Sequence, residues 1–124
     1  MSNPRRTNGS RRDKLRRRVL REESRCHLCD QWVDVRLPHG LPGSPEVDEI
    51  IPVTYGGSPY DRANCRLAHR WCNRLRWHGP IALARQRLAD DPPRFDSAGN
   101  RVTTTLTPVQ SRDWLAQGGV TPPP

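Results

Sequence analysis

Two pairs of metal-binding side chains bracket the middle of the chain: Cys26-x-x-Cys29 and, forty residues further on, His69-x-x-Cys72. At this spacing a tight knuckle or the first turn of a helix presents both side chains to one tetrahedral ion, and a Cys3His set suits zinc. The plainer reading is small buried residues and a chance histidine. One pair would leave that reading open; two pairs flanking a strand, strand, helix pattern predict a structural Zn²⁺. Cys65 lies outside the pattern and His27 inside the knuckle. Both are expected as packing or surface residues, not ligands.

Between the pairs runs "EVDEIIPVTYGG", Glu46 to Gly57. Its apolar set (Val47, Ile50, Ile51, Val53) reads as a strand, yet it carries the adjacent carboxylates Asp48 and Glu49. A surface strand can carry acids idly, and a metal-dependent active site would want them. Asn64 and Asn73 add amides at fixed distances: Asn64 stands sixteen residues after Asp48, and Asn73 follows Cys72 directly. Adjacent residues of a regular strand point to opposite faces, so Asp48 and Glu49 reach one ion only where the strand is bulged, twisted or at an edge.

These residues need a scaffold, and the composition bounds it. The 124 residues give room for one domain, but hydrophobic content of 33% and 13 prolines predict a small core with polar tails. A metal staple suits such a domain. No apolar run is long enough to span a membrane, and "MSNPRRTNGSRR" lacks a signal peptide's apolar segment, so a cytoplasmic protein with no membrane partner is expected. In that reducing compartment four cysteines point to metal more than to disulfides.

The net charge of +8 is concentrated: residues 1–21 hold nine basic residues against the single acid Asp13, and the rest of the chain is balanced. A basic arm before a neutral domain suggests contact with phosphates, since each neutralised phosphate releases counterions. Residues 1–10 read as disordered, with Ser10 capping a helix to about Ser24 that rides on the surface, 1–24 forming the arm. Residues 25–79 form the zinc-stapled domain. There Glu46–Val53 is one strand, "ANCRLAH" a second, and "HRWCNRLRWHG" a helix that packs Leu67, Trp71 and Leu75 on the hairpin. Residues 80–124 read as accessory structure: a short helix at "IALARQRLADD" stopped by Pro92-Pro93, a turn at "FDSAGNRVTT", a final helix from Thr107, and a Pro-rich tail.

Over residues 26–76 the chain resembles the HNH endonucleases. The features that carry the resemblance are the Cys26/Cys29 pair, "VDEIIP", Gly56-Gly57, Asn64, and "HRWCN", with His69, Cys72 and Asn73 at five, eight and nine residues after Asn64. It implies a small α+β protein with a ββα-metal core, cutting DNA with Mg²⁺ or a similar divalent ion. By resemblance, Asp48 and Asn73 hold that ion, Glu49 polarises the attacking water, and Asn64 orients the loop or the base. Small members with arginine-rich arms resemble those of bacteriophages and actinobacteria, some working beside a DNA-packaging terminase. Two departures stand out: His69 replaces a cysteine, which zinc accepts readily, and Glu49 replaces the histidine expected as base.

DNA contacts are expected from Arg11, Arg12, Lys14, Arg16, Arg17 and Arg18 of the arm and from Arg70, Arg74 and Arg76 of the helix. His39, in the approach loop, is the rival base. Alternatives to the nuclease are a zinc-stapled DNA-binding module without catalysis and a docking partner of a larger DNA-processing machine.

Overall fold

The computed structural model describes residues 4–103, and the helix expected from Thr107 lies outside them. It is a small α+β structure of three helices and a two-stranded antiparallel sheet: α1 (Pro4–Glu22), β1 (Pro45–Glu49), β2 (Cys65–His69), α2 (Arg70–Arg76) and α3 (Ile81–Asp90). No described helix is long and apolar enough to cross a membrane.

α1 corrects two expectations. It begins at Pro4, not at Ser10. Proline's fixed φ and missing N–H suit a first turn. Nor does the helix merely ride on the surface. Leu15 and Val19 are buried in the same core as Leu67 of β2 and Ala84 and Leu88 of α3. Arg12 and Arg16 share that inward stripe, where their guanidinium groups donate to the carbonyls of Val47 and Pro45. At the C-terminal end of α1, Glu23 accepts from Arg62, Arg66 and the backbone N–H of Leu67, which ties α1 to the free edge of β2.

β1 is shorter than expected. The ladder runs in regular register from Pro45 opposite His69 to Glu49 opposite Cys65, with no bulge. Ile50 N still donates to Asn64 O, but Pro52 has no N–H to continue the ladder, and a 3-10 turn follows at Val53–Tyr55. The strand alternation then sorts the side chains. Glu46 and Asp48 meet residues of α2, while Glu49 meets Arg12 of α1.

α2 follows β2 without a linker. Its first N–H groups, Arg70 and Trp71, are satisfied by the carbonyls of Ser44 and Pro42 from the loop before β1. The helix ends at Trp77, whose positive φ of 56° is unusual for a bulky side chain. Beyond α3, Asp96–Gly99 makes the expected turn, Gly99 taking φ 87° while its carbonyl accepts from Gly43.

Candidate metal centre and carboxylate strand

Cys26 and Cys29 sit on a knuckle closed by Cys26 N to Gln31 O and Asp30 N to Cys26 O, with Asp30 in the left-handed region. His69 is the last residue of β2 and Cys72 lies in the first turn of α2. The four ligand atoms lie within 4.8 Å of one another. A zinc tetrahedron with thiolate ligands has edges of about 3.8 Å, so this set fits a zinc ion without rearrangement of the backbone. His69 turns Nδ1 to the cluster, 3.4 Å from Cys29 Sγ, and its Nε2 lies 2.9 Å from Trp32 O. A carbonyl there fixes the ring's tautomer, as an outer partner of a ligating histidine usually does. Phe95 packs on the same ring, centroids 4.4 Å apart.

The electrostatics of the cluster favour a cation. Hydrogen bonds from Cys29 and Cys72 drive the Cys26 thiol far below its usual range. Cys72, on the donating side of that contact, is held high. Burial pulls the His69 imidazole down, but hydrogen bonding with Cys26 and Cys29 outweighs it and raises the ring to about 9. Thiols and an imidazole gathered this closely give up their protons when a metal ion binds.

The carboxylates diverge. Asp48 Oδ2 accepts from Arg76 Nη1 at 2.7 Å and lies 2.8 Å from His27 Nε2, with the Asp48 and Arg76 side chains 6% and 3% exposed. His27, expected as a packing or surface residue, is buried as a polar strut between knuckle and strand, and its Nδ1 has no partner among the described residues. Glu49 points the other way, with Oε1 3.1 Å from Arg12 Nη2. Asn73 does not meet Asp48; its Nδ2 donates to Glu46 Oε1, and Glu46 also pairs with Arg70. A divalent cation at Asp48 would face the guanidinium of Arg76 already seated on that carboxylate. As arranged, Asp48 and Asn73 do not fit such an ion.

Arg76 differs most from expectation. Rather than offering itself to phosphate, it is buried, with its donors on Asp48, Glu49 O, Ile50 O and Gly79 O. Arg12 is likewise turned inward, onto Glu49, Val47 O and Pro59 O, and Arg70 is held by Glu46. The side chains that do face outward are Arg11, Lys14, Arg17, Arg18 and Arg74. Arg11, Lys14 and Arg18 line a shallow hollow of about 270 Å³ with Leu15 and Tyr60, Arg11 lying 4.1 Å above the Tyr60 ring.

Asn64 holds the loop after β1. Its amide donates to the carbonyls of Ile51 and Ser58, both at 3.0 Å, and accepts from Ile51 N at 2.9 Å. Gly57 is required by this packing, since a Cβ there would lie 1.7 Å from Ile51 O. His39 is exposed and hydrogen-bonds to neither Asp48 nor Glu49. Sequence reasoning missed Glu46, which was visible as the residue two before Asp48 on the same strand face. It also missed the inward role of Arg76, which composition cannot separate from a phosphate-binding arginine. Compared with family models, curated proteins and solved structures, the chain matches none.

Proposed function

We propose that the chain is a zinc-stapled DNA endonuclease of the HNH, ββα-metal type, hydrolysing phosphodiester bonds with Glu49 as the base. The observation that carries this reading is the investment in the segment around Glu49. Asn64 clamps the loop after it with three hydrogen bonds, and Arg76 grips the carbonyls of both Glu49 and Ile50. An idle surface acid needs no such support, whereas a reacting group must be held on a rigid backbone. The strand, strand, helix order with Cys3His at its base, and the outward arginines of α1, support the same reading.

In this mechanism DNA approaches across α1, and phosphate oxygens draw Arg12 away from Glu49. The freed carboxylate takes the proton of a water whose oxygen attacks phosphorus. The bond from phosphorus to the leaving oxygen breaks, and that oxygen takes a proton from solvent. Arg12, now on the phosphate, meets the charge that develops there. No step is assigned to a divalent ion, because the paired Asp48 and Asn73 do not fit one.

One observation favours a second reading, a zinc-stapled DNA-binding module without catalysis: every carboxylate of β1 is already paired with an arginine. Supercoiled plasmid incubated with the zinc-loaded protein, with and without Mg²⁺ or Mn²⁺ and with EDTA as control, separates the two. Nicked product supports the endonuclease. Retarded but intact plasmid leaves the binding module. Nicking that begins only when a partner such as a terminase is added assigns the chain to a larger machine.

A further inference from the structure

The side of the molecule beyond the loop held by Asn64 carries an unabsorbed feature. A groove of about 480 Å³ runs between the β1 exit (Ile50, Ile51, Pro52, Tyr55) and the end of α2 (Arg76, His78, Gly79, Pro80, Ile81). Tyr55 and Trp77 are 71% and 70% exposed, unusual for rings of this size in so small a protein. Trp77 lies nearly parallel to His78, centroids 4.9 Å apart and planes 17° apart. The groove is therefore lined by the Tyr55 and His78 rings, and Trp77, outside the lining, stacks on His78.

Its surroundings select the occupant. A second hollow shares Arg76, Gly79 and Pro80 with the groove and adds Arg87 with Leu83. Among the described residues, no carboxylate lines either one. Arg74, one turn before His78, is exposed as well. A flat apolar slot with aromatic walls, bordered by arginines and free of acids, suits a ligand with a planar π-face on an anionic backbone. Arg76 is already engaged by Asp48 and three carbonyls, but a basic or neutral peptide would leave the exposed Arg74 and Arg87 uncompensated. Trp77 also holds a positive φ with ψ −127°, a conformation that glycine adopts freely and tryptophan does not. Selection for folding alone would favour glycine at this exposed helix end, and the ring is present at a cost in stability.

We propose that this groove takes an unpaired nucleobase of a DNA strand, stacked between Tyr55 and the His78–Trp77 pair, with Arg74 and Arg87 on the flanking phosphates. This rests on the DNA reading above and adds to it a strand-separated or end-frayed substrate. Base stacking of this kind is tolerant of sequence and is lost when the ring is removed.

The test is titration of the zinc-loaded full chain with decathymidylate and with an abasic oligomer of the same length, at one ionic strength, by tryptophan fluorescence and anisotropy. Decathymidylate is expected to quench Trp77 and to bind about tenfold more tightly than the abasic strand. Tyr55→Ala and His78→Ala are expected to bring decathymidylate close to the abasic affinity. Trp77→Gly is expected to raise Tm while weakening binding, a combination that a structural role for the ring does not produce. Equal affinity for the two strands, or unchanged binding in Tyr55→Ala and His78→Ala, overturns the nucleobase site and leaves DNA binding by α1 intact. Failure of both strands and of duplex DNA to bind overturns the DNA reading as well. Binding of phosphatidylserine vesicles that is lost in the same variants, with oligonucleotide affinity unchanged, assigns the groove to a lipid surface instead.

Discussion

The two faces of β1 hold their carboxylates under opposite conditions. On the α2 face, Asp48 is buried between Arg76 and His27, and the side chains of all three are at most 6% exposed. On the α1 face, Glu49 is paired with Arg12 at 23% and 30% exposure. A buried ion pair stays together because separating it strands a charge away from water. A partly exposed pair is screened, and separating it costs less. Adjacent acids on one strand have thus become a strut and an available group. The difference arises from the unbroken register of the strand, which sends them to opposite sides.

The zinc ligands anchor the strut side and carry the largest expected effect. Removing zinc with a strong chelator, or Cys26→Ser, should unfold the domain, since structural zinc contributes on the order of 10 kcal/mol. Far-UV and tryptophan spectra report this, and a folded spectrum without metal would place the stability elsewhere. Arg76→Ala comes next. It leaves Asp48 buried without its cation and removes the grip on Glu49 O and Ile50 O. A loss of about 3–5 kcal/mol in urea unfolding is expected. A loss below about 1 kcal/mol would mean that Asp48 is solvated and the two faces are alike.

Glu23 lies between these extremes. Burial pushes its carboxyl up, but hydrogen bonds from Arg66, Arg62 and Leu67 N outweigh that and hold it below its ordinary value of 4.5. A carboxyl depressed by folding stabilises the protein above its unfolded pKa and loses that contribution as pH falls through the folded value. Stability should therefore decline below about pH 4.5. Glu23→Gln should cost about 1–3 kcal/mol at neutral pH and flatten that acid limb. The smallest effect belongs to the Arg12–Glu49 pair itself. Arg12 also donates to Val47 O and Pro59 O, so the pair is read from a double-mutant cycle of Arg12→Ala and Glu49→Gln, and its coupling should be under about 1 kcal/mol. A coupling as large as the loss in Arg76→Ala would make Glu49 a second strut.

What was legible in the sequence follows from how local its cause is. The Cys26/Cys29 and His69/Cys72 pairs, the helix from Ile81 and the turn at Asp96–Gly99 depend on spacing or on residue types with fixed preferences, and each is where the sequence puts it. The strand-strand-helix order followed from alternation, glycine turns and apolar spacing. The partners of the charged groups were not legible. Arg76 and Arg74 sit two residues apart on one short helix, one buried and one exposed, and only the rotation of α2 over β1 separates them. Similarly, the surplus of arginine in α1 hid the stripe on which Arg12, Leu15, Arg16 and Val19 face inward. Position around the helix, not composition, decides which arginines remain exposed.

The central claim is that Glu49, not its neighbour, is the reacting carboxylate. The direct measurement is the rate of supercoiled plasmid nicking by the zinc-loaded parent protein and by Glu49→Gln at saturating DNA, with zinc content and DNA affinity measured on the same samples. Glutamine keeps the size of the side chain and removes its capacity to accept a proton. Glu49→Gln is expected to lose nearly all nicking while zinc content is unchanged and DNA affinity is equal or slightly higher, because Arg12 is released. Nicking by Glu49→Gln at the parent rate would contradict the account, and loss of nicking in His39→Ala alongside it would move the base to the approach loop.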